Sequence, residues 1–234
     1  MYGSELDLKL ASTDRTVRFT TALRKSAINK GIVRFNDETA CYVKRASIAL
    51  VDGTGEYDLE SAAIITGEDY LRPAAVRPSL AITTTATGDV RYLEGDDFPQ
   101  VWEDALNQHE SGWRAQGAAT PNGWYLRRAT GSEYVGLEPA PDIPSTETWA
   151  LLFPYVASPP TLSSDSEVAF SGRLALVPYH DAVVAYAAAQ LEELRKNYQM
   201  VDRRLAEFAA RCVTYRRDQA PLAGSRIRLG RNPR

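Results

Sequence analysis

Apolar residues recur at alternating steps of three and four through the last part of the chain: Val184, Ala187, Leu191, Leu194, Tyr198, Val201, Leu205, Phe208, Cys212 and Tyr215. That spacing places one apolar stripe along a helix surface, the pattern of helix-to-helix packing. Residues 179–220 contain no Gly or Pro to interrupt it. Two readings stand. One is a single helix over 179–219, roughly 60 Å long at 1.5 Å per residue. The other is a hairpin turning near Lys196, Asn197 and Tyr198, favoured because Asn tolerates the left-handed conformation of a helix stop. The stripe residues Leu191, Leu194, Val201, Leu205 and Phe208 are read as bundle core, with Leu205 and Phe208 packing on an N-terminal helix.

That N-terminal helix is expected to start at Ser12, Thr13 or Asp14, each able to cap free amides, and to stop at Gly31. Phe19, Ala22, Leu23 and Ala27 would form its apolar face. From about Arg34 the pattern changes to short β-prone runs separated by turn dipeptides: 46–51, 62–66, 80–85, 123–128, 133–138 and 148–156. Such spacing predicts antiparallel sheet. An acidic stretch within 96–108 predicts one short helix. The order helix, strands, helix argues an α+β fold, with N- and C-terminal helices forming a helical bundle and an antiparallel β-rich module inserted between them. The expected segments are 1–34 for the first helix, 35–175 for the β-rich module, 176–219 for the C-terminal helical element and 220–234 for an extended basic tail.

With 234 residues the chain is long enough to bury a substantial core. Only Cys41 and Cys212 are present, so free thiols in a reducing compartment are expected and a disulfide scaffold is not. The start shows no charged-then-apolar signal pattern, and the longest apolar runs, 149–153 and 182–189, are too short to span a bilayer. A soluble protein made in the cytosol, without a membrane partner, is the expectation. The net charge of −3 hides an uneven distribution. Residues 195–234 carry eleven Lys or Arg against Asp202, Glu207 and Asp218, a local +8, which leaves −11 for the first 194 residues. A bipolar chain of this kind can stack on copies of itself or present its tail to an acidic surface.

Catalytic and metal chemistry finds little support. His109 and His180 are the two histidines, and neither has a second His at helical spacing to share a metal. His109 reads as a surface residue in a polar loop, and His180 as the neighbour of a helix-capping Asp181. The segment Asp52-Gly53-Thr54-Gly55 lacks the third glycine and the Lys-Ser/Thr ending of a phosphate loop and reads as a hairpin turn. Glu94, Asp96, Asp97, Glu103, Asp104 and Glu110 have no cation-loop spacing. No cofactor, no metal and no enzymatic activity are expected. The arginines of the tail could neutralise phosphates, but no zinc finger, aromatic platform or basic zipper accompanies them.

An ordered set of segments resembles the head–tail connector proteins of tailed bacteriophages, called adaptors. Gly55-Glu56-Tyr57-Asp58-Leu59 is similar to their Tyr-Asp-Leu strand start, and Pro121-Asn122-Gly123-Trp124-Tyr125 to a Pro- and Tyr-containing strand. Leu137-Glu138-Pro139-Ala140-Pro141 resembles a strand closing on Pro-x-Pro. Trp149 to Tyr155, followed by Ser158-Pro159-Pro160-Thr161-Leu162, resembles an aromatic strand leading to a Pro-Leu turn. Val177-Pro178-Tyr179 before an Ala-rich helix is similar to their helix entry. The segment 95–119 and the tail after Arg217 depart from the family pattern. The resemblance implies a dodecameric homo-oligomeric ring in the virion, assembled in the host cytoplasm. That ring would join the portal protein to a tail or nozzle protein and line a passage through which DNA moves without sequence-specific binding. It also gives the tail a partner: Arg226, Ile227, Arg228, Leu229, Arg231 and Arg234 become candidate portal-docking residues. A tail-side collar or tail-tube component, or a nucleic-acid binder using the same arginines, are the alternatives.

Overall fold

The computed structural model describes residues 19–61, 70–109, 117–129, 131–164 and 166–224. The chain divides into two compact units. Residues up to Tyr42 join those from Ser158 onward in a helical unit, and Val43–Ala157 form a β-rich unit.

In the helical unit, helix α1 spans Thr21–Thr39. Thr20 caps it, accepting through Oγ1 from the Leu23 amide at 3.3 Å. The expected start at residues 12–14 lies outside the described residues. Gly31 does not end the helix. The stop is Ala40, whose φ of 51° turns its amide back onto the Asn36 carbonyl oxygen at 2.7 Å. Gly31 instead sits inside the buried face made by Ala27, Ile28, Ile32, Phe35 and Asn36. The expected apolar face is therefore displaced around the helix, and Leu23 is exposed. A Cβ on Gly31 would lie 2.7 Å from the Val183 carbonyl oxygen, so glycine is what lets the two backbones come together there.

Val183 belongs to α3, His180–Leu194, which is entered through a 3₁₀ turn at Leu174–Tyr179 that contains Pro178. Alanines 182, 185, 187, 188 and 189 are all buried, and their small side chains allow neighbours to pack close. The C-terminal helical element is a hairpin. Lys196 takes the left-handed conformation (φ 59°), with its amide and that of Asn197 bonded back to Glu193 and Glu192 at 2.9 and 3.1 Å. The left-handed residue is thus Lys196, while Asn197 offers its carbonyl oxygen to the amides of Met200 and Val201. Helix α4 then runs Tyr198–Gly224, five residues beyond the expected end at 219 and through Pro221. Tyr186 meets Phe208 and Tyr179 meets Tyr215, so α3 and α4 run antiparallel.

In the β-rich unit, strands β1 (Val43–Ala49), β3 (Tyr70–Pro73), β4 (Ser79–Thr84), β5 (Val90–Leu93) and β8 (Glu147–Ala157) form one antiparallel sheet in the order β1-β8-β4-β5, with β3 also on β8. Strands β2 (Glu56–Asp58), β6 (Gly123–Ala129) and β7 (Ser132–Glu138) form a second, in the order β2-β7-β6. Asp52 to Gly55 is not a hairpin turn. It carries the chain from one sheet to the other, with the Gly53 amide bonded to the Pro141 carbonyl oxygen at 2.8 Å. Gly136 leaves room for the Tyr125 ring, whose hydroxyl donates to Glu56 Oε1 at 2.9 Å.

The expected architecture, N- and C-terminal helices forming a bundle around one inserted β-rich module, is corrected by these elements. The chain is α+β, but the described residues hold four α-helices and two antiparallel sheets. The helices do not simply flank the strands from the two chain ends, because α2, Glu103–His109, lies among them. The predicted helix over 96–108 is also split: Phe98 is fully buried and Pro99 follows it, so a 3₁₀ turn at Gly95–Asp97 ends before α2 begins.

Both thiols are buried, and burial pushes each up from the ordinary 9.0 to about 11. An acid whose pKa is higher folded than unfolded adds stability that is complete below the unfolded value and is lost as pH rises through the folded one. Stability is therefore expected to fall between pH 9 and about 11. Denaturant midpoints taken across that window check this, and Cys41→Ser or Cys212→Ser should flatten the slope. At neutral pH neither thiol should react with a maleimide until the chain unfolds.

Candidate interaction surfaces

The residues examined for chemistry are scattered. His180 is fully buried beside the Phe170 ring (6.2 Å), packed rather than presented. Asp181 lies in the first turn of α3, where it suits the helix dipole, but the cap position is Tyr179, whose side chain makes no capping hydrogen bond. His109 closes α2. Of the acidic residues, Asp96 and Asp97 sit on the 3₁₀ turn and Glu103 and Asp104 in the first turn of α2. Glu110 lies outside the described residues. Among the described residues no group of three or more His, Cys, Asp or Glu is placed to hold a metal, and no helix is long and apolar enough to cross a membrane.

The residues read as bundle core separate into two sets. Leu191 and Phe208 are buried, Val201 is half-buried, Leu205 is 38 % exposed and Leu194 is 62 % exposed. Phe208 packs on Tyr186 of α3, and α4 reaches α1 through Tyr215, which contacts Phe35, and Arg216, which donates to the Glu38 carbonyl oxygen. The portal-docking candidates Arg226, Ile227, Arg228, Leu229, Arg231 and Arg234 lie outside the described residues.

Two surface features went unread in the sequence. On the helical unit, the outer side of α1 carries an open groove of about 620 Å³, lined by Ala22, Lys25, Ser26, Asn29, Lys30, Val33, Arg34, Asp37 and Tyr186. Asn29 is held at its edge by two hydrogen bonds to the backbone of Leu162, at 2.8 and 3.1 Å. On the β-rich unit, Trp102 is 71 % exposed, whereas Trp124 and Trp149 are 5 % and 4 % exposed. The segment carrying Trp102 is strapped to β6: the Val101 amide bonds to the Trp124 carbonyl oxygen at 2.8 Å, and the Trp124 amide to Pro99 at 3.1 Å.

The family model of the SU10 adaptor protein matches residues 5–228. The chain belongs to the SU10 adaptor family. The match bears out the resemblance to phage head–tail adaptors and covers both units of the chain, from before α1 to beyond α4. No curated protein matches the sequence. Membership makes the chain a phage structural adaptor and virion component, and implies a role without catalysis.

Proposed function

We propose that this chain assembles as a ring of identical copies that joins the portal protein to the tail and lines the passage for DNA. The family match over residues 5–228 carries this reading. Charge supports it: an acidic first part and a basic C-terminal part can supply the complementary patches that a ring's repeated head-to-tail interface requires. An acidic passage wall would also keep DNA from adhering to it.

The basic residues Arg226, Arg228, Arg231 and Arg234, with Ile227 and Leu229, are proposed to dock on the portal. Deleting 225–234 cuts the chain after the last residue of α4. The truncated protein should keep its helical circular dichroism while losing at least tenfold in portal affinity, and full-length binding should weaken as salt is raised. Co-sedimentation with portal rings reads both. Unchanged binding by the truncated chain would remove the tail from the interface.

A further inference from the structure

We propose that Trp102, with Glu103 and Asp104 beside it, seats in the α1 groove of a neighbouring copy of this chain, so that the β-rich unit of one adaptor is held by the helical unit of the next. The inference rests on the ring reading above and names the contact that would close it.

Four observations lead there. Trp102 exposes most of an indole, a side chain that contributes strongly at the centre of protein interfaces. Backbone bonds to β6 hold its segment in place, so little freedom is lost when it docks. The groove, about 620 Å³, falls within the size range that accepts small organic ligands and has room for one indole. Its chemistry matches: Ala22, Val33 and Tyr186 give apolar lining, and, with Arg34 paired to Glu38 at 2.6 Å, Lys25 and Lys30 still outnumber Asp37. Cations can lie against an indole face and also meet Glu103 and Asp104. The two surfaces are different patches of one chain, so the contact is heterologous and repeats around a ring instead of ending at a dimer.

The test uses a maleimide cross-linker on the full-length double variant Ser26→Cys/Ala105→Cys, both positions exposed, assembled with its portal protein and imaged by negative stain. Cys41 and Cys212 are buried and should not compete. The expected result is a covalent ladder extending through trimer and tetramer. A companion variant, Trp102→Ala, should weaken assembly at least tenfold with its helical circular dichroism unchanged. The charge swap Asp104→Lys should do likewise, and Lys30→Glu added to it should restore assembly. Rings that form without a ladder would overturn the contact while leaving the ring reading intact. Absence of both rings and ladder would overturn both. A cross-link closing within one chain, or Trp102→Ala rings that assemble normally and lose only another partner, would show that the groove and the indole do not meet between copies.

Discussion

Phe35→Ala is expected to destabilise the helical unit by about 3–5 kcal/mol, the usual loss for truncating a fully buried aromatic. Phe35 is completely buried, and its ring meets three others that come from separate parts of the chain. Phe170 lies at 5.9 Å, Tyr179 at 6.4 Å and Tyr215, edge-on, at 5.6 Å. Removing it empties the point where α1, the turn before α3 and the end of α4 converge, and aromatic pairs add about 0.5–1.5 kcal/mol each beyond area burial. The cavity cannot collapse easily, because Phe170 and Ser171 are held at positive φ with the Ser171 hydroxyl tied to Tyr42 at 3.1 Å. The melting temperature should drop on the order of 10 °C. Readouts separate by unit: all four tryptophans, at 102, 113, 124 and 149, fall within the 43–157 segment, so their fluorescence follows the β-rich unit and far-ultraviolet circular dichroism mainly follows the helices. A loss below about 1 kcal/mol would show that the ring is not central to the packing.

Gly31→Leu should cost about 3 kcal/mol, and Gly31→Ala about 1–2 kcal/mol, in the range for over-packing a core. The first atom beyond Cα meets the Val183 carbonyl oxygen at 2.7 Å and the Val183 side chain at 3.2 Å. A backbone oxygen in the first turn of a helix cannot rotate away, so α1 and α3 must separate there. Replacing glycine within a helix otherwise gains helix propensity, so the sign of the change distinguishes the two effects. An Ala variant more stable than the parent would mean the helices yield at little cost. Thermal melts followed by circular dichroism decide it.

The sequence made some of this visible and hid the rest for identifiable reasons. Strands β4, β6, β7 and β8 were legible because each is a β-prone run closed by turn residues, whereas β3 and β5, of four residues each, carry too little pattern to stand out, and β2, of three, showed only through the resemblance at Tyr57-Asp58-Leu59. Their division into two sheets depends on pairings such as Val43 with Val156, which no local rule encodes. The hairpin was readable from Asn197, yet the stripe ran straight through the turn. Crossing Lys196 resets the helical phase, and so Leu194 and Tyr198 finish exposed although their spacing matches their buried neighbours. Reading Gly31 as a stop hid the true face of α1, since a helix ended there cannot include Ile32 or Phe35. Trp102 stayed unread for a different reason: an aromatic in sequence defaults to core, and only the fold shows it facing solvent.

The antiparallel ladder between β1 and β8 carries a consequence for how the chain reaches its form. Leaving the helical unit after Tyr42 and returning at Ser158 makes the β-rich unit one long excursion, and closing a flexible loop of that length costs about 4 kcal/mol in chain entropy. Pairing of Val43 with Val156, continued to Ala49 with Ala150, ties the excursion at its base. Once the ladder has formed, α1 and α3 are neighbours along a short effective chain, so their meeting no longer bears that entropy. The strands act as a clasp for the helices, and segments far from the clasp can vary in length without altering the short path that joins α1 to α3 once the ladder is closed.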